Sequence, residues 1–454
     1  ATTADWVATL SESTGLDLGP MADGWLKRPG HPTLHVAAPA WDPATGAYSV
    51  QLRQSGFGTG APWIFPVAWA AMADDGSQLA HGTTVVDAKS AAIEVSGLAV
   101  KPAYISIARG FSFFGRLDVA ESSPELDALQ ARTDTDVVAR YFAYRRLVDR
   151  TKAAYIDARL SGSDAAFVVP EAVTAAFTAV LADTLLSSAC KARFLAEPSA
   201  LETATHLNVH YDLLDDAKNA VYTAVYDAAG PEVWAAFDAG LAGAIDSRPV
   251  LESGNSKLDA FRREVPGRSL ATTLADVLVA ALGKDPPPMM TSGCSSARDL
   301  AEVGRELWAS GADRAMSLRK LGAKLVLNSR ASADDKAAFR AQMREAWASH
   351  PDGFEQFLWV MTSIDSPDAA AALRAVVDHD ELIDLVQASQ ARALVRGWSA
   401  ARRWSLLTHD GLALLEDIFV AVANINEYFA SGVLSAFSDL PQMTGKHKAR
   451  LIAA

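Results

Sequence analysis

The chain has 454 residues, half of them hydrophobic, with 54 acidic against 41 basic side chains and a formal net charge of −13. That length is too great for one ordinary core and predicts two or three domains, while the acidity argues against nucleic acid as the main partner, because phosphate binding needs clustered cations. No run of about 18 uninterrupted apolar residues marks a membrane span, and Ala1-Thr2-Thr3-Ala4-Asp5-Trp6 lacks the basic-then-apolar pattern of a signal peptide.

The first 28 residues read as a short helix and an exit. Trp6, Val7 and Leu10 make one apolar face, Gly15 breaks it, and Leu16, Leu18, Met21, Trp25 and Leu26 continue it. Arg28-Pro29-Gly30-His31-Pro32 then stops any helix. A helical piece this short must pack on something to persist. From Thr33 to Val119 apolar residues alternate in seven short runs, around Leu34, Tyr48–Leu52, Ile64–Trp69, Thr83–Val86, Ile93–Val95, Tyr104–Ile107 and Arg116–Val119. Alternation with Gly and Pro breaks predicts a small antiparallel β-sandwich. Pro66 inside a run predicts an edge strand or a bulge there.

After Lys101–Arg146 the period changes from near 2 to near 3.6, so this stretch is where a β domain hands over to an α domain. Ser123-Pro124-Glu125 is a cap followed by Pro at the first helical position. Ser332-Ala333-Asp334-Asp335 resembles a capping box, and Ser366-Pro367-Asp368 repeats the cap-then-Pro signal. Apolar stripes run through Val137, Tyr141, Tyr144 and Val148, through Leu274, Val277, Leu278 and Leu282, through Phe354, Phe357, Leu358 and Met361, and through Leu414, Ile418 and Val422. Breaks are predicted near Ser161–Ser163, Gly230-Pro231, Pro266-Gly267, Gly283 to Pro288 and Ser349 to Gly353. A dozen or more helices with short loops and no strict repeat predict an irregular HEAT-like superhelix. Asp285–Met290 is the most irregular loop and reads as a connector.

The histidines are His31, His35, His81, His206, His210, His350, His379, His409 and His447, and none is followed by Glu. The H-E-x-x-H zinc motif, with two His one turn apart and a Glu as base, is therefore absent. His206 and His210 have i, i+4 spacing, but Leu207 stands where the base would be, and a third ligand would have to come from Asp212 or Asp215. A solvated helix face is the simpler reading. Gly283-Lys284 lacks the rest of a phosphate loop, and Ser112 lacks a nucleophile elbow. Arg402-Arg403 beside Trp404 reads as a surface helix end, and Trp398 and Trp404 as core or groove aromatics. Cys190 and Cys294 stand far apart, which suits a reducing, cytoplasmic compartment.

Several fragments together resemble one family. Arg109-Gly110-Phe111-Ser112, then Asp134-Thr135-Asp136 and Arg140-Tyr141-Phe142-Ala143, are similar to the join between the third and fourth domains of M1 zinc aminopeptidases of the aminopeptidase N type. Phe113-Phe114 replaces Ala-Pro of that pattern, and Arg145 replaces its Gln. Gly15-Leu16-Asp17-Leu18, Trp25-Leu26 and Pro29–Pro32 resemble the segment that closes the family's catalytic domain. His350–Phe357, Arg392–Trp398, Asp410-Gly411, Asn426 and Ala430-Ser431 resemble further family segments in the same order.

The resemblance implies a C-terminal half. Residues 1–28 would end a thermolysin-like catalytic domain, 29–120 would be an Ig-like β-sandwich, and 121–454 an α-helical superhelical domain. Zinc, with its ligands, the loop that holds the substrate amine and the catalytic Tyr, would lie in the missing catalytic domain. This chain alone would be inactive. Its partners would be that catalytic domain, in the same polypeptide or split from it, and short peptides in an enclosed chamber, with no nucleic acid and no membrane. Arg392 matches a family arginine on the chamber wall, whereas Gly432 stands where a second would be. The alternative is a stand-alone, non-enzymatic scaffold or binding module of the same folds.

Overall fold

A computed structural model describes residues 2–58, 60–120, 122–163, 165–198, 207, 209–246, 254–284, 298–311, 316–443 and 445–453. The chain divides into two compact units, Ala1–Asp149 and Arg150–Ala454, with the division inside the helix Val137–Leu160.

The first unit opens with two helices, Thr3–Thr14 and Gly19–Lys27. Thr2 and Asp5 form a full capping box, and Gly15 ends the first helix with φ +70°. Trp6 is 61% exposed, so the apolar face read from the sequence is uncovered within this unit. Trp25 does pack: its ring lies 4.9 Å from Trp63, and its Nε1 donates to the Ile64 carbonyl at 2.8 Å.

Eight strands follow: β1 (Thr33–Val36), β2 (Ala40–Asp42), β3 (Ala47–Ser55), β4 (Phe65–Met72), β5 (Gln78–Val86), β6 (Ser90–Val95), β7 (Tyr104–Ile107) and β8 (Arg116–Val119). One sheet has the order β2-β3-β1-β8 with β6 also on β3, and the other is β5-β4-β7. Both contribute to one core, Leu34, Val50 and Leu52 from the first sheet meeting Phe65, Val67 and Ile107 from the second. The additional strand is β2, three residues long and too short to show an alternation. All pairs are antiparallel except β1 with β8, which is parallel. Pro66 pairs with Val85 of β5, but its nitrogen faces the other edge, as Ala68 N does in donating to Ser112 Oγ, and β7 on that edge pairs only Trp69–Met72, so the missing N–H breaks no ladder. The irregularity in β4 lies instead between Ala71 and Met72.

The family-like motifs at the hand-over interlock. Ala108, Gly110 and Phe111 all have positive φ, making a tight left-handed turn. The turn aims Arg109 at the loop before the long helix, where its Nη1 meets Asp134 Oδ1 at 2.7 Å and its Nη2 donates to Thr135 Oγ1 at 2.8 Å. Gly110 N donates to Asp136 Oδ2 at 3.0 Å, while Asp136 Oδ1 accepts from Ala139 N at 2.8 Å and so caps Val137–Leu160. Phe113 packs on Phe65, with ring centroids 4.8 Å apart. These residues thus act as a structural tie between sheet and helix.

The second unit is helical throughout its described residues. Neighbouring helices pack as pairs, Tyr211–Asp246 on Gly254–Leu278 and Leu300–Ser310 on Met316–Leu327. The stripes of Phe354, Phe357, Leu358 and Met361 and of Leu414, Ile418 and Val422 all join one large core. Val137 departs from its stripe at 41% exposed. The break expected at Gly230-Pro231 is a kink, with Ala229 at φ −146°, inside Tyr211–Asp246. No break occurs at Pro266-Gly267, and Gly254–Leu278 runs straight through. There Gly267 faces Gly240, so close that a Cβ on either would come within 2.6 Å of the other's carbonyl oxygen. The helix expected from Ser366 begins at Ala369, with Ser366 and Pro367 still in the turn. Glu264–Gly283 has the length and hydropathy of a membrane span, yet 56% of it is buried in the fold, as for a core helix. Asp285–Met290 and Cys294 lie outside the described residues.

Candidate functional site

The helical unit holds a cavity of about 900 Å³. Its described wall is drawn from several segments that lie far apart in the chain. Tyr211, Leu214, Asp215 and Lys218 share one face at the start of Tyr211–Asp246, since their spacings of 3, 4 and 7 return to the same side of a helix. Thr362–Asp365 form the turn after Pro351–Met361. Arg396, Ser399 and Ala400 come from Ala388–Ala400, and the short helix Arg402–Leu406 adds Arg402, Arg403 and Trp404. Gly432 and Ser435 close the wall from the end of Glu427–Leu434.

The wall is charged but balanced. Lys218 Nζ lies 3.2 Å from Asp215 Oδ1, Arg402 Nη1 2.8 Å from Asp439 Oδ2, and Arg403 Nη1 2.6 Å from Asp216 Oδ1. Lys284 pairs with Asp365, and Lys152 with Glu197. Arg402 also lies over the Tyr211 ring, and Arg403 over that of Trp404. Asp365 is the hub, taking Trp404 Nε1 at 2.6 Å as well as Lys284, while its own N–H donates to Asn328 Oδ1 at 2.8 Å. Burial pushes the Asp365 carboxyl up, but Lys284 and Lys218 outweigh it and hold it at about 2. Burial pulls Lys218 down, and Asp215, Asp365 and Glu197 more than offset that, so its pKa is raised. Tyr211 is pushed up to about 12, chiefly by burial. A second cavity of about 430 Å³ shares Asp365, Arg403 and Trp404 with the first.

Arg396 is the exception to this balance. It is exposed, and no carboxylate among the described residues pairs with it. Ser399, one turn on, is 5% exposed, and its Oγ has no hydrogen-bond partner among the described residues.

Arg392 is exposed one turn before Arg396 on the same helix face, but it is not among the residues that line the cavity. Gly432 does line it. Arg402 and Arg403 correct the sequence reading: they are not a surface helix end, being 17% and 28% exposed and ion-paired in the wall. Trp404 is a wall aromatic, whereas Trp398 is fully buried, its Nε1 donating to the Gly411 carbonyl at 3.1 Å. Lys284 follows a π-turn, Val279–Gly283, and serves as an ion-pair partner. Ser112 Oγ accepts from Ala68 N at 3.0 Å. His206 lies outside the described residues, and among those described no three His, Cys, Asp or Glu side chains converge as a metal site would need. Cys190 is a free, half-buried thiol.

Sequence reasoning missed Lys218, Asp365, Arg396 and Ser399. Only Arg396 left a signal, the i, i+4 spacing from Arg392. It also missed a cross-strand chain in the first unit: His35 Nδ1 is 2.8 Å from Asp118 Oδ2, and its Nε2 is 2.8 Å from Ser55 Oγ. That connectivity is of charge-relay type, but it lies on an open sheet face, with Asp118 66% exposed, and it serves to tie β8, β1 and β3 together.

Residues 125–454 match the model of a family described as a domain of unknown function (DUF3458_C) with ARM repeats. No curated protein matches the chain by sequence. Among solved structures, aminopeptidase A of Legionella pneumophila, in complex with aspartic acid, is similar in fold, with a TM-score of 0.76 and 16% identity. The similarity covers all of this chain and 49% of that one, so the chain spans about half the length of the solved aminopeptidase.

Proposed function

This chain belongs to the DUF3458_C ARM-repeat family, whose domain is found in M1 aminopeptidases, and from that premise we propose that it is the part of an aminopeptidase N-like zinc aminopeptidase that spaces and caps the active-site chamber. The whole enzyme would remove N-terminal residues from short peptides. The observation that carries the reading is the cavity of about 900 Å³ in the helical unit, large enough to take part of a peptide and walled by paired charges and aromatic rings. Gly432, at the position of a family chamber arginine, lines it. The β-sandwich would be a rigid spacer, and the Arg109–Asp134 tie would fix the start of the helical array. Arg392, exposed one turn from Arg396 on the same helix face, would add a second cation just beyond the cavity.

Zinc belongs, on this reading, to the catalytic domain. The described residues of this chain offer it no set of three ligands, so no step of the chemistry is assigned to them. Their work is to bind and to exclude.

The test is the peptide-length profile of the native polypeptide that carries this chain. A cap predicts efficient removal of N-terminal residues from tripeptides and no trimming of a folded protein with an exposed N-terminus. Equal cleavage of both would overturn the capping role.

A further inference from the structure

We infer that Arg396 and Ser399 form a binding site for a carboxylate group, and that this site selects the ligand admitted to the cavity. The inference rests on the reading above only in taking that ligand to be a short peptide.

Two independent features point to the same turn. The other cations of the wall, Lys218, Arg402 and Arg403, are each spent on a carboxylate, as are Lys152 and Lys284 beside them. A neutralised pair attracts little, so among the described lining residues Arg396 is the cation left to meet an incoming anion in a chain whose net charge is −13. Ser399 is the other feature. A hydroxyl this buried ordinarily has a partner, and its Oγ has none among the described residues. Three residues apart on one helix, the two groups share a face.

The chemistry selects the ligand. Guanidinium offers donors and no acceptor, and a serine hydroxyl can donate one bond more. An ionised carboxylate accepts from both, and its bonds to a cation are the stronger kind. An amide in the same place would gain much less. Trp359 and Trp404 in the wall supply flat apolar surface for the rest of the ligand, and Gly432 has no side chain to compete for the guanidinium.

The test is titration calorimetry of the 454-residue chain with Ala-Ala-Ala, its C-terminal amide, and Asp-Ala-Ala amide. The acid is expected to bind about tenfold more tightly than its amide, as for one charge-assisted contact. R396Q should abolish that preference, S399A should reduce it, and R53Q, which removes a charge from the first unit, should leave it intact. Asp-Ala-Ala amide binding like Ala-Ala-Ala would show that any carboxylate serves; its binding like the plain amide would assign the site to the peptide C-terminus. Equal binding of acid and amide, a preference that survives R396Q, or no binding of any of the three would overturn the inference. Those failures would leave the capping role standing, since that is read from the length profile, and failure of the length profile would leave this binding result intact.

Discussion

At the scale of single residues, Asp365 organises the wall. It joins Lys284, after the π-turn, to Trp404 on the short helix, and its own backbone is held by Asn328. No motif marks it, because its partners come from 81 and 39 residues away in the chain. Its carboxyl ionises at about 2 in the fold against 3.8 ordinarily. The sign follows from the depressed value: the tie stabilises fully above about pH 4, and its contribution is lost as pH falls toward 2. D365N is expected to cost about 2 kcal/mol in urea unfolding at pH 7, and its deficit against wild type should shrink as pH drops below about 4. A deficit that is the same at every pH would mean that the ionised carboxylate is not what holds the wall. Arg396 shows the complementary limit of sequence reading. The family pattern marks Arg392, but which of two arginines one turn apart lines a cavity is decided by the helix's rotation against its neighbours, and a sequence does not carry that.

Among elements, helix pairs depend on glycines at close approaches, and one of them, Gly267, reads as a breaker in the sequence. Gly240 faces Gly267, and Gly304 faces Gly322, where an added Cβ would come within 2.7 Å or less of a carbonyl oxygen. Pro266-Gly267 therefore carried the wrong meaning in the sequence: the glycine is there for close approach, and the proline is tolerated within the helix. The strands were legible for the opposite reason. Leu34 and Val36 in β1, and Tyr48, Val50 and Leu52 in β3, are buried at every second residue, a pattern that survives without knowledge of any partner. G304A should lower stability by about 1–3 kcal/mol, the usual cost of overpacking, read as a lower urea midpoint at unchanged slope. An unchanged midpoint would show that the two helices can part without loss.

Over the whole molecule, the hand-over from β to α was plain because two periods meet near Lys101–Arg146, inside the first unit, where Arg109 and Gly110 bond Asp134 and Asp136. The cavity was not, because its wall draws on residues near 215, 365, 396 and 432, which become neighbours only when the helical array is built. What the array contributes, on the present account, is enclosure and binding, with hydrolysis supplied elsewhere. The most direct check is a measurement of bound zinc and of alanyl-p-nitroanilide hydrolysis on the purified 454-residue chain. A folded protein with no stoichiometric zinc and no turnover is expected. Zinc at one per chain, with hydrolysis that bestatin inhibits, would contradict it.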